Sequence, residues 1–185
     1  MLAGKIALAT ASALEGGACI ARLSRRSSYY ARAQAAATAT GRPLVVIGDP
    51  NAGAATRILP TAGSGDVCID LTGCPTAPRG ITADITKGVP QVADNSAIVY
   101  VSCVFEYVDD VQAAWAEALR MAGDASRVYV VTVEPWTFTA AIYPHARWAI
   151  LSAPPDGPFL ARPITTARKA LSWAAIGAMG LWAVK

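Results

Sequence analysis

Five short apolar runs punctuate the middle of the chain: LVVIG at 44–48, DVCIDL at 66–71, GITADI at 80–85, AIVYVSCV at 97–104 and RVYVVTVE at 127–134. Each is bounded by turn-forming or polar residues and is rich in β-branched side chains. Unbroken runs of that length read as strands buried on both faces, as in a parallel sheet. Between the fourth and fifth runs the period changes. In VDDVQAAWAEALRMAG at 108–123, Val111, Ala114, Trp115, Ala118 and Leu119 recur at helical spacing, with acids at the start and Gly123 at the end.

The flanks complete the pattern. Residues 3–24 and 27–39 read as two alanine-rich helices, with Ser27 or Ser28 capping the second and Gly41 and Pro43 ending it. After Pro135, WTFTAAIYP reads as a short helix. RWAILSA at 147–153 and FLARPI at 159–164 flank PPDGP and predict an antiparallel hairpin. A final apolar helix follows. The order implies a doubly wound α/β fold: a mainly parallel sheet, a C-terminal antiparallel hairpin, and apolar helices at both ends. Three segments result: 1–42, helical; 43–164, the α/β domain; and 165–185, the C-terminal helix.

Composition narrows the class. Hydrophobic residues make up 54% of the 185, but alanine supplies much of that, so the figure does not by itself signal a polytopic membrane protein. Long apolar runs and a small net charge exclude intrinsic disorder. The charge is unevenly spread: residues 1–42 carry +5, residues 43–146 carry −6 and residues 147–185 carry +4, which gives the net +3. An acidic centre between basic, apolar ends suggests a solvent-facing domain whose ends meet an anionic membrane surface. Aromatic and basic residues do not interleave along a stripe, so no nucleic-acid partner is expected.

Cys19, Cys68, Cys74 and Cys103 form no CxxC pair, and His145 is the sole histidine. No metal site is expected from that set. The four cysteines read as reduced, mostly buried thiols of a cytosolic compartment.

The ends have several readings. Lys5 precedes the apolar run IALATASAL, and Ala11-Ser12-Ala13 resembles a small-residue cleavage site. If Glu15 is tolerated, the apolar stretch reaches Ala21 and meets the basic cluster Arg22, Arg25 and Arg26. It is then either a marginal spanning helix or a helix packed on the domain. A spanning helix would leave residues 27–185 on the cytoplasmic side; a soluble cytoplasmic protein is the alternative. The C-terminal run, with Trp173 and Trp182 near its ends, suits an interfacial helix, a partner-docking helix or a helix covering the sheet.

In an open α/β sheet, ligands bind beyond the carboxyl ends of the strands. Those ends present Gly48, Asp49, Asn51 and Gly53 after the first run, Asp70 after the second, Asp84 after the third, Ser102 and Cys103 after the fourth, and Glu134 and Trp136 after the fifth. An acid ending the second strand is placed to accept protons from a ribose diol. An acid after the third can accept from an exocyclic adenine amine. The two together describe a nucleoside pocket.

The stretch ADI…VPQVADNSAIVYVSCVFEYVDDV resembles the third strand, fourth strand and following helix of class I S-adenosylmethionine-dependent methyltransferases, in their small-molecule branch. Asp94-Asn95-Ser96 and Phe105-Glu106-Tyr107-Val108 stand where that branch carries its DNS and LEHV signature, and CIDL resembles its ribose motif. The resemblance covers roughly residues 43–134, reaching about 164 if the terminal hairpin is included, and implies a Rossmann-like methyltransferase fold with S-adenosylmethionine as cofactor. It implies cofactor contacts at Gly48, Asp49, Asn51, Gly53, Asp70, Asp84 and Ser102, and a small-molecule or lipid-like acceptor. His145, Tyr143 and Glu134 are the candidates for catalytic groups, with Trp136 beside them. The first motif departs from the family: Ile47 stands at the usual acid, Asp49 and Asn51 replace two glycines, and only Gly53 is kept. That departure supports a second reading, a catalytically inactive methyltransferase-like module for interaction or structure. A third, another nucleotide-binding α/β enzyme, lacks both GxxxxGK[ST] and GxGxxG.

Overall fold

The computed structural model describes residues 2–49, 62–134, 137 and 145–183. The chain is an α/β protein. Five parallel strands, β1 (Leu44–Ile47), β2 (Val67–Asp70), β3 (Gly80–Thr82), β4 (Ile98–Ser102) and β5 (Val128–Val131), lie in the order β3-β2-β1-β4-β5. Val45 pairs with Val67 on one side and Val99 on the other, so β1 is central and the strand order reverses across it. The strands match the cores of the five apolar runs. The third run stops early, at Thr82, and Ile85–Lys87 forms a 3₁₀ turn capped by Asp84, whose carboxylate accepts from the Thr86 backbone N–H.

Alternation divides the core into two layers, as a period of two requires. Val45, Ile47, Ile69, Val99, Val101 and Val130 face a layer built by α2 (Val111–Ala122), the Ile85 turn and the C-terminal hairpin. Leu44, Val46, Ile98, Tyr100, Tyr129 and Val131 face α1 (Leu2–Thr40). α2 begins at Asp110, whose carboxylate accepts from Gln112 N at 2.9 Å and Ala113 N at 3.0 Å, and ends at Gly123 with φ +76. Only glycine takes that left-handed backbone freely, and a Cβ there would also collide with Asn95. Arg120 ties α2 to the loop before β4: it grips Glu117 at 2.7 and 2.8 Å and donates to the carbonyls of Val92 (3.0 Å) and Val89 (3.2 Å).

α1 corrects the reading of residues 3–24 and 27–39 as two helices. It is one helix of 39 residues. Ser27 and Ser28 do not interrupt it, because the alanine-rich flanks favour helix on both sides and Tyr29, Ala33 and Ala37, at four-residue spacing, bury one stripe on the sheet. Tyr30 meets Tyr100 edge-on at 5.4 Å.

The antiparallel hairpin is present as β6 (Trp148–Ser152) and β7 (Leu160–Pro163), with a bulge between Ile150 and Ser152. It joins β5 through the Val130 N–H, which donates to Pro154 O at 2.9 Å. The last helix, α3 (Thr166–Ala183), packs on α1 rather than covering the sheet. Among the described residues no helix is long and apolar enough to cross a membrane. The short helix expected after Pro135 lies, apart from Thr137, outside the described residues.

The cysteines need a second correction. Cys68 and Cys74 are joined by a disulfide, while Cys19 and Cys103 are free. Cys68 points from β2 into the loop that follows it, and a six-residue separation shows no CxxC pattern. The reading of four reduced thiols fails, and with it the reason for assigning the chain to a reducing compartment.

Candidate functional site

The carboxyl ends of β1 to β4 surround a cavity of about 300 Å³. Its walls are short and successive. β1 supplies Ile47 and Gly48, β2 supplies Ile69, Asp70 and Leu71, the end of β3 supplies Ala83, Asp84 and Ile85, and the loop after β4 supplies Cys103, Val104, Tyr107, Val108 and Asp109. The lining is mainly apolar with a few carboxylates, the usual make-up of a small-molecule site. The cavity sits where the strand order reverses, the position at which open parallel sheets bind ligands.

Gly48 makes the site possible. Its φ is +88, and a Cβ there would collide with Val104 and lie 2.9 Å from Ser102 O. The strand end therefore passes within contact distance of β4, and its N–H reaches Ile69 O at 2.8 Å. Gly48→Ala should lower stability by about 1–3 kcal/mol through backbone strain. A urea midpoint equal to that of the wild type would contradict the close approach.

Asp70 and Asp84 stand on adjacent strand ends of one cavity. Asp70 Oδ1 accepts from Thr72 N at 2.8 Å and Thr72 Oγ1 at 2.7 Å, and its Oδ2 accepts from Asp49 N at 3.0 Å. Asp84 Oδ1 accepts from Thr86 Oγ1 at 2.7 Å and Thr86 N at 3.0 Å, and Lys87 lies 3.5 Å from Oδ2. The Thr86 hydroxyl and backbone N–H hold the Asp84 carboxyl below its ordinary range, so it is ionised at neutral pH. Each carboxylate thus caps its own loop with Oδ1, while Oδ2 meets the Asp49 N–H at Asp70 and Lys87 at Asp84 and keeps one further lone pair.

The remaining candidates separate. Asp49 presents its backbone N–H to Asp70 and is not among the cavity residues. Ser102 is buried in β4 behind Gly48. Glu134 is buried too, but it pairs with Arg25 of α1 instead of facing the cavity. His145 is exposed and does not line the cavity. Asn51, Gly53, Trp136 and Tyr143 lie outside the described residues.

The loop after β4 brings Cys103, expected at this strand end, to the cavity wall, together with Val104, Val108 and Asp109, which strand-end reasoning passed over. Cys103 adopts φ +52, unusual for a side-chain-bearing residue, and its N–H donates to Val131 O at 2.8 Å. Packing around the sulfur, then the neighbouring Glu106 carboxyl, pushes the thiol up to about 12. It is a protonated wall residue, not a nucleophile. Asp109 reaches Arg147 at 2.8 Å. In the sequence it reads as part of a helix start, next to the true cap Asp110, and nothing there separates the two roles.

Glu106 is almost fully enclosed. Its Oε1 accepts from Val133 N at 2.5 Å and its Oε2 has no hydrogen-bond partner. Burial pushes the carboxyl up to about 7, against the opposing pull of the backbone N–H groups and Arg22. Among the described residues no group of histidine, cysteine or acidic side chains is arranged to hold a metal ion. No family model, curated protein or solved structure matches this chain.

Proposed function

We propose that the chain has a Rossmann-like methyltransferase fold, binds S-adenosylmethionine in the cavity at the carboxyl ends of β1 to β4, and transfers its methyl group to a small or lipid-like acceptor. The observation that carries this reading is the pairing of Asp70 and Asp84 on adjacent strand ends around a cavity with an apolar floor of Ile47, Ile69 and Ile85. A nucleoside asks for that combination: an acceptor for the ribose hydroxyls, an acceptor for the adenine amine, and an apolar slot for the ring. A volume of about 300 Å³ fits the adenosine part. A second lone pair on each Oδ2, beside the Asp49 N–H at Asp70 and beside Lys87 at Asp84, supports the fit, and Gly48 gives the backbone room at the cavity wall.

The cofactor supplies an activated methyl group on a sulfonium. The chain's residues bind, orient and exclude water, and positioning alone accounts for much of such a rate enhancement. Asp70 holds the ribose, Asp84 the adenine amine, and Tyr107 and Val108 close the side wall.

The second reading, an inactive module, is favoured by one observation: both carboxylates already serve as loop caps, a sufficient structural role. Calorimetry with S-adenosylhomocysteine on the full chain separates the two. Asp70→Ala removes one charge-assisted hydrogen bond to the ribose, worth about 1.5–3 kcal/mol, so affinity should fall by about tenfold or more. A wild-type chain that binds no S-adenosylhomocysteine would leave the module reading standing.

A further inference from the structure

α1 runs against the direction of the strands. Its C-terminal end leads into β1, with Arg42 N bonded to Ala37 O at 3.2 Å. Further back, Tyr100 donates to Arg26 O at 3.3 Å, and Arg25 pairs with Glu134, just past the carboxyl end of β5. Everything before Arg22 therefore lies beyond the carboxyl edge of the sheet, the edge that holds the cavity. Twenty residues of helix, 2–21, extend roughly 30 Å.

α3 starts from the same edge. Ile164 N reaches Arg147 O at 2.7 Å, and Arg147 N reaches Glu106 O, directly after β4, also at 2.7 Å. α3 then packs on α1. The two form an arm at the mouth side of the domain. Large apolar side chains stand exposed on it: Leu14 is 57% exposed, Ile20 70%, Leu171 71% and Trp173 54%. Arg22 and Arg168 stand near its base, in terminal segments that carry +5 and +4 against −6 for the centre. A second copy would bring two such basic ends together, whereas an anionic lipid surface complements them. Neither helix is long and apolar enough to cross a bilayer. Lying at the interface buries such side chains without that requirement.

We propose that α1 and α3 seat the cavity-bearing edge of the sheet on an anionic lipid bilayer, and that the methyl acceptor is an amphiphile presented by that bilayer. The acceptor class rests on the cofactor reading above; the docking does not.

The test uses the full chain with vesicles of phosphatidylcholine plus phosphatidylglycerol, and of phosphatidylcholine alone. The chain should sediment with the anionic vesicles preferentially, and Arg168→Gln should weaken that binding about fivefold. Leu14→Glu with Leu171→Glu should weaken it at least about tenfold. Brominated lipid should quench tryptophan emission, and Trp173→Phe should reduce that quenching. All these variants should bind S-adenosylhomocysteine as the wild type does when no vesicles are present. Equal or absent partition into the two vesicle types overturns the docking. So does a dimer in light scattering that binds no vesicles and falls apart in the Leu14→Glu, Leu171→Glu chain. Vesicle binding by a chain that binds no S-adenosylhomocysteine overturns the acceptor assignment.

Discussion

Phe105→Ala should lower the stability of the protein by about 3–5 kcal/mol, the range for deleting a large buried aromatic side chain. Phe105 is fully buried directly after β4. Its ring meets Phe159 edge-on at 5.4 Å and Trp115 at 6.5 Å, and those two stack at 4.7 Å. One side chain therefore joins the strand end to α2 and to the C-terminal hairpin. Collapse into the space is hindered, because the two ring neighbours belong to separate elements, neither of them the strand end that carries Phe105. Urea unfolding of the variant checks the figure, and a loss below about 1 kcal/mol would mean that the three elements repack without it. Phe105→Leu should recover part of the loss, because it restores volume without the edge-on contacts.

Glu106→Gln should change the pH dependence of stability by about 3 kcal/mol between pH 4.5 and pH 8. The Glu106 carboxyl is raised from 4.5 to about 7, mainly by burial. Well below pH 4.5 it is protonated in folded and unfolded chains alike and contributes no pH dependence. Between pH 4.5 and 7 the unfolded chain loses the proton first, so stability falls as pH rises. Above pH 7 the full penalty of an ionised, half-satisfied carboxylate is present. Glutamine keeps an acceptor for the Val133 N–H and removes the charge. Unfolding measured across this range should show the variant gaining on the wild type as pH rises. Parallel curves would mean that Glu106 ionises as easily in the folded chain as in the unfolded one.

The sheet was legible because each strand is a short apolar run buried on both faces, and such runs have few alternatives once Gly, Pro and Asp bound them. LVVIG and AIVYVSCV needed no tertiary knowledge. Helix ends were legible where a cap carried its own chemistry, as at Asp110 and Gly123. They were not at Ser27 and Ser28, where serine is an equally good cap and interior residue and the outcome was set by Tyr29, Ala33 and Ala37 packing on a sheet that follows later in the chain. Asp70 and Asp84 stood out because strand order places consecutive strand ends together. Glu106 did not, since nothing local distinguishes a buried glutamate from an exposed one. The Cys68–Cys74 bond escaped for the same reason: its partners are brought together by the fold of the loop after β2, not by their spacing.

α1 is continuous from the arm to the sheet, and that has a practical consequence for anyone trimming the protein. A chain beginning at Ser27 would keep Tyr29, Ala33 and Ala37 on the sheet and shed the apolar arm, yet it would also discard Arg25. Glu134, with only 6% of its side chain exposed, would then be a buried anion without its cation. Severing a buried pair in that way costs about 3–5 kcal/mol when the group is fully enclosed, and somewhat less here because Arg25 is itself 44% exposed. A poorly behaved shortened chain would therefore not show that the arm is needed for folding. The cut belongs upstream of Arg22, or it should be accompanied by Glu134→Gln, so that solubility and stability are altered one at a time.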